Sequence, residues 1–305
     1  MGRSTEQLRA DALAIWRAGV AAVDSQRLVQ ETLLVDGEQL LVGDLALPFR
    51  DFDRLIVVGA GKAGAGMAAG VEGALGPRWL HAKRVEGWVN VPANCVRPLQ
   101  RIHLHAARPA GVNEPTVEGV AGTSRILELV GSLSPRDLCL CLLSGGGSAL
   151  LPAPIDGITL ADKQALTKHL SAAGANIQEL NTVRKQLSLV KGGRLSRACR
   201  AGQLITLIIS DVLGDPLDVI ASGPTVPDTA TPAEALEVLQ RFGARESGIA
   251  PAVFDVLQRA EWHREPSAAG GPVTNLVSGN NATAVDAAGQ EAERRGYAHG
   301  MLAAR

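Results

Sequence analysis

Four stretches of the 305-residue sequence hold residue types and spacings that could do chemistry. The first is Gly59-Ala60-Gly61-Lys62-Ala63-Gly64, directly after the apolar run Arg54–Val58. It matches G-x-G-x-x-G after a strand, the dinucleotide fingerprint. That fingerprint also wants an acidic residue about 20 positions on, at the end of a second strand, and Glu86 is the only nearby candidate. A Walker A loop fails, because no Ser or Thr follows Lys62. Two readings stay open: a tight turn with a solvated lysine, or a lysine placed at a helix start to meet phosphate oxygens. The second stretch is Ser144-Gly145-Gly146-Gly147-Ser148. Consecutive glycines cost backbone entropy. They make sense where bare N–H groups must approach an anion, with a structural turn as the alternative. It is not a nucleophile elbow, which would need Gly in place of Leu150.

The third stretch is the helical pattern Asn176–Val190, where Asn181, Arg184, Lys185 and Ser188 fall on one face and Leu180, Val183, Leu187 and Val190 on another. Lys191-Gly192-Gly193-Arg194 follows at once. A solvated basic face is the plain reading. Beside two anion-shaped loops the same face becomes a phosphate or carboxylate clamp. Ser188-x-x-Lys191 also matches S-x-x-K, but its companion elements K-T-G and S-D-N are absent from the sequence. The fourth stretch runs from Ser210-Asp211 through Gly214-Asp215-Pro216 to Ser222-Gly223-Pro224-Thr225. Asp211, at a strand end, could hold Mg2+ or accept a hydroxyl proton. Asp215 could do either, or only cap its turn.

The elements that must position these residues are legible as a pattern. Helices are expected at 5–35 with a break near Asp24, after the first glycine loop to about Ala74, at 116–131, from Thr159 to about Ala173, from Asn176 to about Val190, at 232–243 and at 281–295. Thr159/Asp162 and Asn176/Glu179 have capping-box spacing. Strands are expected at 54–58, 85–91, 101–105, 138–143, 204–209 and 273–278, with a loop at 107–115. Continuously apolar strands alternating with helices indicate an α/β fold with a mainly parallel sheet and helices on both faces, a Rossmann-like three-layer sandwich. Ligands bind such sheets at the carboxyl ends of the strands, where the loops 59–64, 144–148 and 210–218 begin.

Composition narrows the partners. Lys and Arg number 30 against 31 Asp and Glu, a net charge of −1, so neither nucleic acid nor an anionic membrane is favoured. The longest apolar runs fall well short of the roughly 20 residues of a membrane-spanning helix, and the N-terminus lacks a signal core. Cys95, Cys139, Cys141 and Cys199 have no zinc-site spacing. They read as buried free thiols in a reducing cytoplasm, with Cys139 and Cys141 on one side of a strand.

Taken together, Val57-Val58-Gly59-Ala60-Gly61-Lys62-Ala63, Leu143 to Leu150, Asn181-Thr182-Val183-Arg184-Lys185, Lys191-Gly192-Gly193-Arg194-Leu195 and Ser210 to Thr225 resemble, in order, the glycerate 2-kinase family. This is the MOFRL-associated type, with a DUF4147-type N-terminal domain, often labelled hydroxypyruvate reductase. The resemblance spans residues from about 8 to 297. It implies ATP- and Mg2+-dependent transfer of a phosphoryl group to the 2-hydroxyl of D-glycerate, a small hydroxy-acid substrate, and a site between two α/β domains. It assigns Lys62 to the transferring phosphate and the Ser144–Ser148 loop to anionic groups. The expected site therefore has Lys62, Arg184 and Asp211 as catalytic residues. Gly59, Gly61, Ser144, Gly145, Gly146, Gly147, Ser148, Asn181, Lys185, Lys191 and Asn280 are expected to bind nucleotide and substrate, and Asp211 and Asp215 to hold the metal.

The sequence departs from the family at Arg108-Pro109, where a His-Pro turn is usual, and at Gln186, where His is usual. Either Arg108 or Arg184 is left as holder of the substrate carboxylate. Residues 1–305 are read as the family's N-terminal α/β domain, with a small subdomain considered at 1–50 and 230–305 and the C-terminal MOFRL domain absent. On that reading the chain alone is expected to bind ligand weakly or be inactive. A homodimer is left open. The alternatives are an NAD(P)-dependent hydroxypyruvate reductase and a non-catalytic ligand-binding remnant.

Overall fold

The computed structural model describes residues 3–259 and 270–300. Helices α1 (Thr5–Ala22) and α2 (Ser25–Thr32) lead into short strands β1 (Leu33–Asp36), β2 (Gln39–Val42) and β3 (Leu45–Pro48). Then come β4 (Arg54–Ala60), α3 (Gly64–Ala82), β5 (Glu86–Pro92), β6 (Ile102–Arg108), α4 (Val117–Gly131) and β7 (Asp137–Ser144). The one-turn α5 (Gly147–Leu150), α6 (Leu160–Ala172), α7 (Ile177–Gln186) and α8 (Arg194–Ala198) precede β8 (Gln203–Ile209). Last are α9 (Pro232–Arg241), α10 (Pro251–Gln258), β9 (Val273–Gly279) and α11 (Asn281–Arg294).

Six strands form one parallel sheet in the order β6-β5-β4-β7-β8-β9, as the continuous apolar runs require. Side chains alternate between its faces. Leu55, Val57, Leu138, Leu140, Leu142, Ile205 and Leu207 point to the face covered by α3 and β1–β3. Ile56, Val58, Cys139, Cys141, Leu143, Leu204 and Ile208 point to the face covered by α4 and α8. The strands are thus buried on both sides, and Cys139 and Cys141 do share one. A third core gathers Leu166 and Leu170 of α6, Val183 of α7, Val238 and Leu239 of α9, and Val253, Phe254 and Leu257 of α10. At the other end of the chain α1 lies close against α11, where a Cβ at Gly19 would stand 2.9 Å from the Ala284 carbonyl oxygen. Within 230–305, residues 260–269 and 301–305 lie outside the described residues.

Three local expectations are corrected. Residues 33–35, expected as the end of a helix, instead open an antiparallel sheet over 33–48 ordered β1-β2-β3. Its two turns, Gly37-Glu38 and Gly43-Asp44, are short hairpin signals between apolar runs. The helix opening at Gly64 continues to Ala82 across a break at Gly76-Pro77, Pro being tolerated where a helix restarts. The helix from Asn176 stops at Gln186 rather than near Val190. There the chain turns to a neighbouring segment. Leu189 N–H donates to Ala153 O at 2.9 Å, and the Leu187 carbonyl accepts from the Lys163 ammonium at 2.7 Å. Ser188 and Val190 therefore leave the faces that helical spacing assigns them. Ser188 Oγ instead accepts from the amides of Val190 and Lys191.

Candidate functional site

Strands β4, β7 and β8 are neighbours, so the loops that follow them meet at one edge of the sheet. The first two are fastened to each other. Lys62 N–H donates to Gly145 O at 2.9 Å, and Ala63 N–H donates to Ser144 Oγ at 3.1 Å. Gly146 adopts a left-handed φ of 81°. A Cβ there would stand 3.0 Å from Arg108 Nη2 and 3.3 Å from Lys62 Cε. The Lys62 side chain thus runs alongside the triple-glycine turn. It is exposed, and its ammonium has no hydrogen-bond or ion-pair partner among the described residues. The amides of Gly146 and Gly147 likewise donate to no acceptor among the described residues. From the third loop, Asp211 leans so close that a Cβ at Gly145 would overlap its Oδ2. Asp211 too is exposed and has no partner among the described residues.

The other expected residues hold these loops in place. Ser148 Oγ lies 2.9 Å from Ser222 Oγ, and Ser222 donates to Asn181 Oδ1 at 3.1 Å. The Ser148 hydroxyl is therefore the donor in the first of these bonds. Lys191 is 2% exposed, and its ammonium donates to Ser148 O at 3.0 Å and Ala221 O at 3.4 Å. It fastens the glycine turn to the 220–223 segment. Ala221 and Ser222 are left-handed at φ 51° and 62°, as is Asp215 at 51°, strain of order 1–3 kcal/mol each. Asp215 Oδ2 accepts from Asn280 Nδ2 at 2.5 Å, which ties this loop to the end of β9.

Not every basic residue of α7 faces the loops alone. Lys185 is held between Asp228, at 3.2 Å, and Asp218, at 3.6 Å, so its charge is matched inside the protein. Gln186 donates to Asp228 Oδ2 and to Ala230 O, which fixes the 228–230 turn. Arg184 has no carboxylate partner among the described residues. Burial lowers its affinity for the proton, and its charge presses on Lys163 and Lys191. Burial and these neighbours push Lys191 well below the ordinary lysine value and bring Lys163 down to about 7. Three basic side chains thus crowd this region, and burial together with their mutual repulsion disfavours their charged forms.

Lys163 gives a pH test. Between about 7 and the ordinary value of 10.5, the unfolded chain holds a proton that folded Lys163 has released, so stability rises with pH in that window. Below 7 both states are protonated and the penalty is complete. Lys163→Met should show its greatest stability relative to the parent below pH 7 and lose that margin by about pH 10, a change of several kcal/mol. Urea unfolding at a series of pH values measures it. A margin that does not vary with pH would remove Lys163 as the buried cation.

Glu86 is the first residue of β5, at the opposite end of the sheet from the glycine loop. The end of β5 instead carries Asn90, whose amide donates to Leu150 O at 2.8 Å in the interior. The acid that a dinucleotide ribose requires is missing from that strand end. Among the described residues no three His, Cys, Asp or Glu side chains gather as a metal cage. Mg2+ bound through one or two carboxylates and substrate phosphates needs no such cage, and the unpaired carboxylate of Asp211 fits that mode. One residue escaped the sequence reasoning: Lys163 carries no signal beyond its place in a capped helix. Arg108, one of the two arginines considered for the substrate carboxylate, reaches the glycine turn from β6, two strands from β7's neighbour β4.

A family profile described as a domain of unknown function, DUF4147, matches residues 11–258. The chain is 39% identical over 308 residues to a glycerate kinase of Rattus norvegicus, covering 97% of this chain and 57% of the relative. It is 38% identical over 244 residues to a D-glycerate 2-kinase of Thermotoga maritima, covering 79% and 53%. The crystal structure of a glycerate kinase from Thermotoga maritima superposes with a TM-score of 0.77 at 35% identity, covering 96% of this chain and 64% of that one. The chain thus spans a little over half the length of the curated relatives it matches.

Proposed function

Since the chain belongs to the DUF4147 family, we propose that it carries the phosphoryl-transfer site of a glycerate 2-kinase, using ATP and Mg2+ to phosphorylate a small hydroxy acid. The observation that carries this reading is the convergence of the unpaired Lys62 ammonium, the bare amides of Gly146 and Gly147 and the unpaired Asp211 carboxylate at one sheet edge. Phosphoryl transfer asks for positioning and charge neutralisation more than covalent chemistry. The names of the relatives, glycerate kinase and D-glycerate 2-kinase, point the same way.

In this reaction the acceptor hydroxyl oxygen bonds to the γ-phosphorus, and the bond from that phosphorus to the bridging oxygen breaks to release ADP. The hydroxyl proton passes to a base or to water. Lys62 and the glycine amides meet the negative charge on the transferring group, in the manner of preorganised donors. Asp211 would hold Mg2+, with Asp215 as a second carboxylate of the same loop, or else accept the proton. Mg2+ would supply charge neutralisation on the phosphate oxygens. Arg184, on α7 and close enough to Lys163 and Lys191 to act on their charges, would meet the nucleotide's phosphates. Asn181, Ser148 and Lys191 keep the loops in register. The free, mostly buried cysteines suit a reducing cytoplasm.

Incubation with D-glycerate and Mg-ATP, set against hydroxypyruvate and NADH, tests the reading. ADP formation dependent on D-glycerate is the expected outcome. NADH oxidation without ADP would replace it with the reductase alternative.

A further inference from the structure

Arg108 ends β6 and is 4% exposed. Its Nη1 donates to Asn113 Oδ1 at 2.6 Å. Its Nε is sealed from solvent without an acceptor. Its Nη2 lies 3.0 Å from where a Gly146 Cβ would stand and makes no hydrogen bond among the described residues. No carboxylate pairs with the guanidinium among those residues. An arginine with one engaged nitrogen, buried and unpaired, is costly to keep. A site keeps such a group where a ligand brings the missing acceptor.

We infer that Arg108 binds the carboxylate of the substrate and restricts the reaction to α-hydroxy acids, an assignment that rests on the phosphoryl-transfer reading above. Arg108 Nη2 and Lys62 Cε lie 3.0 and 3.3 Å from the one point where a Gly146 Cβ would stand, so the fork and the lysine stem flank the same glycine. A carboxylate on Arg108 therefore neighbours the group that Lys62 meets. An acid with its hydroxyl on the adjacent carbon spans that short gap, whereas one with its hydroxyl farther along the chain overshoots it. The planar fork suits a carboxylate. Arg184, the other candidate, sits with Lys163 and Lys191, a cluster better matched to the several charges of a nucleotide's phosphates.

Titration calorimetry with D-glycerate and, separately, with Mg-ATP, on the parent, Arg108→Gln and Arg108→Lys, tests this. Arg108→Gln should weaken D-glycerate binding by about 10²-fold and change Mg-ATP binding by less than about twofold. Arg108→Lys, with charge but no fork, should recover part of the loss. Glyceramide, the uncharged amide, should bind the parent and Arg108→Gln alike. The thermal midpoint of Arg108→Gln should not fall, since an unmatched buried charge is removed. Unchanged D-glycerate binding in Arg108→Gln overturns the assignment, as does loss of Mg-ATP binding in its place. A fall in midpoint with loss of both ligands makes Arg108 structural and overturns it too. A parent that binds Mg-ATP but no hydroxy acid defeats the Arg108 assignment alone. A parent that binds neither ligand and forms no ADP defeats the kinase reading and the assignment with it.

Discussion

Lys62→Ala is expected to lower kcat for ADP formation by roughly 10²–10³-fold while Mg-ATP affinity falls by less than about tenfold. The ammonium has no partner among the described residues, so its removal breaks no bond among them and should leave the thermal midpoint where it was. The main-chain bond from Lys62 N–H to Gly145 O is independent of the side chain and will persist. The expected loss therefore lies in the transition state, where charge on the transferring group is greatest. Steady-state kinetics with both substrates varied, alongside a melting curve, separates the terms. A kcat within about threefold of the parent would return this residue to a solvated turn.

Gly61→Ala should lower stability by about 3 kcal/mol or more and should abolish activity with it. Its φ of 152° is a conformation that side-chain-bearing residues rarely adopt. The added methyl would overlap Ser144 Oγ and come within 2.8 Å of the Ser144 main-chain N and O. Those are backbone atoms at the end of a central strand and cannot swing aside. The turn must move, and the bonds from Lys62 to Gly145 and from Ala63 to Ser144 go with it. Gly145→Ala makes the contrasting control. There the obstructing atoms belong to the mobile end of the Asp211 side chain, so stability should change far less. Denaturant unfolding of the two variants measures the difference. Equal midpoints would mean that the loops are not locked together at Ser144.

The sheet was easy to read because parallel strands buried on both faces leave unbroken apolar runs, as at Leu138–Leu143. The capping boxes at Thr159 and Asn176 could be located because they are local, and both form. The end of α7 was not legible. Nothing near Gln186 breaks a helix; the competing partners are Ala153 and Lys163, remote in sequence. The hairpins at 33–48 had turn signals, but a helical pattern running up to Thr32 hid the change of period. At the site, glycines announced the loops because their backbone demands are local. The burial of Lys163 and the reach of Arg108 depend on tertiary packing, which spacing cannot express. The match of Lys185 with Asp218 and Asp228 is of the same kind.

The fastening by Lys191 bears on how tightly a ligand can be held. Consecutive glycines would ordinarily make the turn a loose ensemble, and any ligand would have to immobilise it at the expense of affinity. Here a sunken ammonium grips Ser148 and Ala221 before anything arrives. The disorder of the glycine turn is removed once, when the chain folds, and not again at each encounter. Such a receptor meets its guest already shaped, and the guest's attraction goes into holding on.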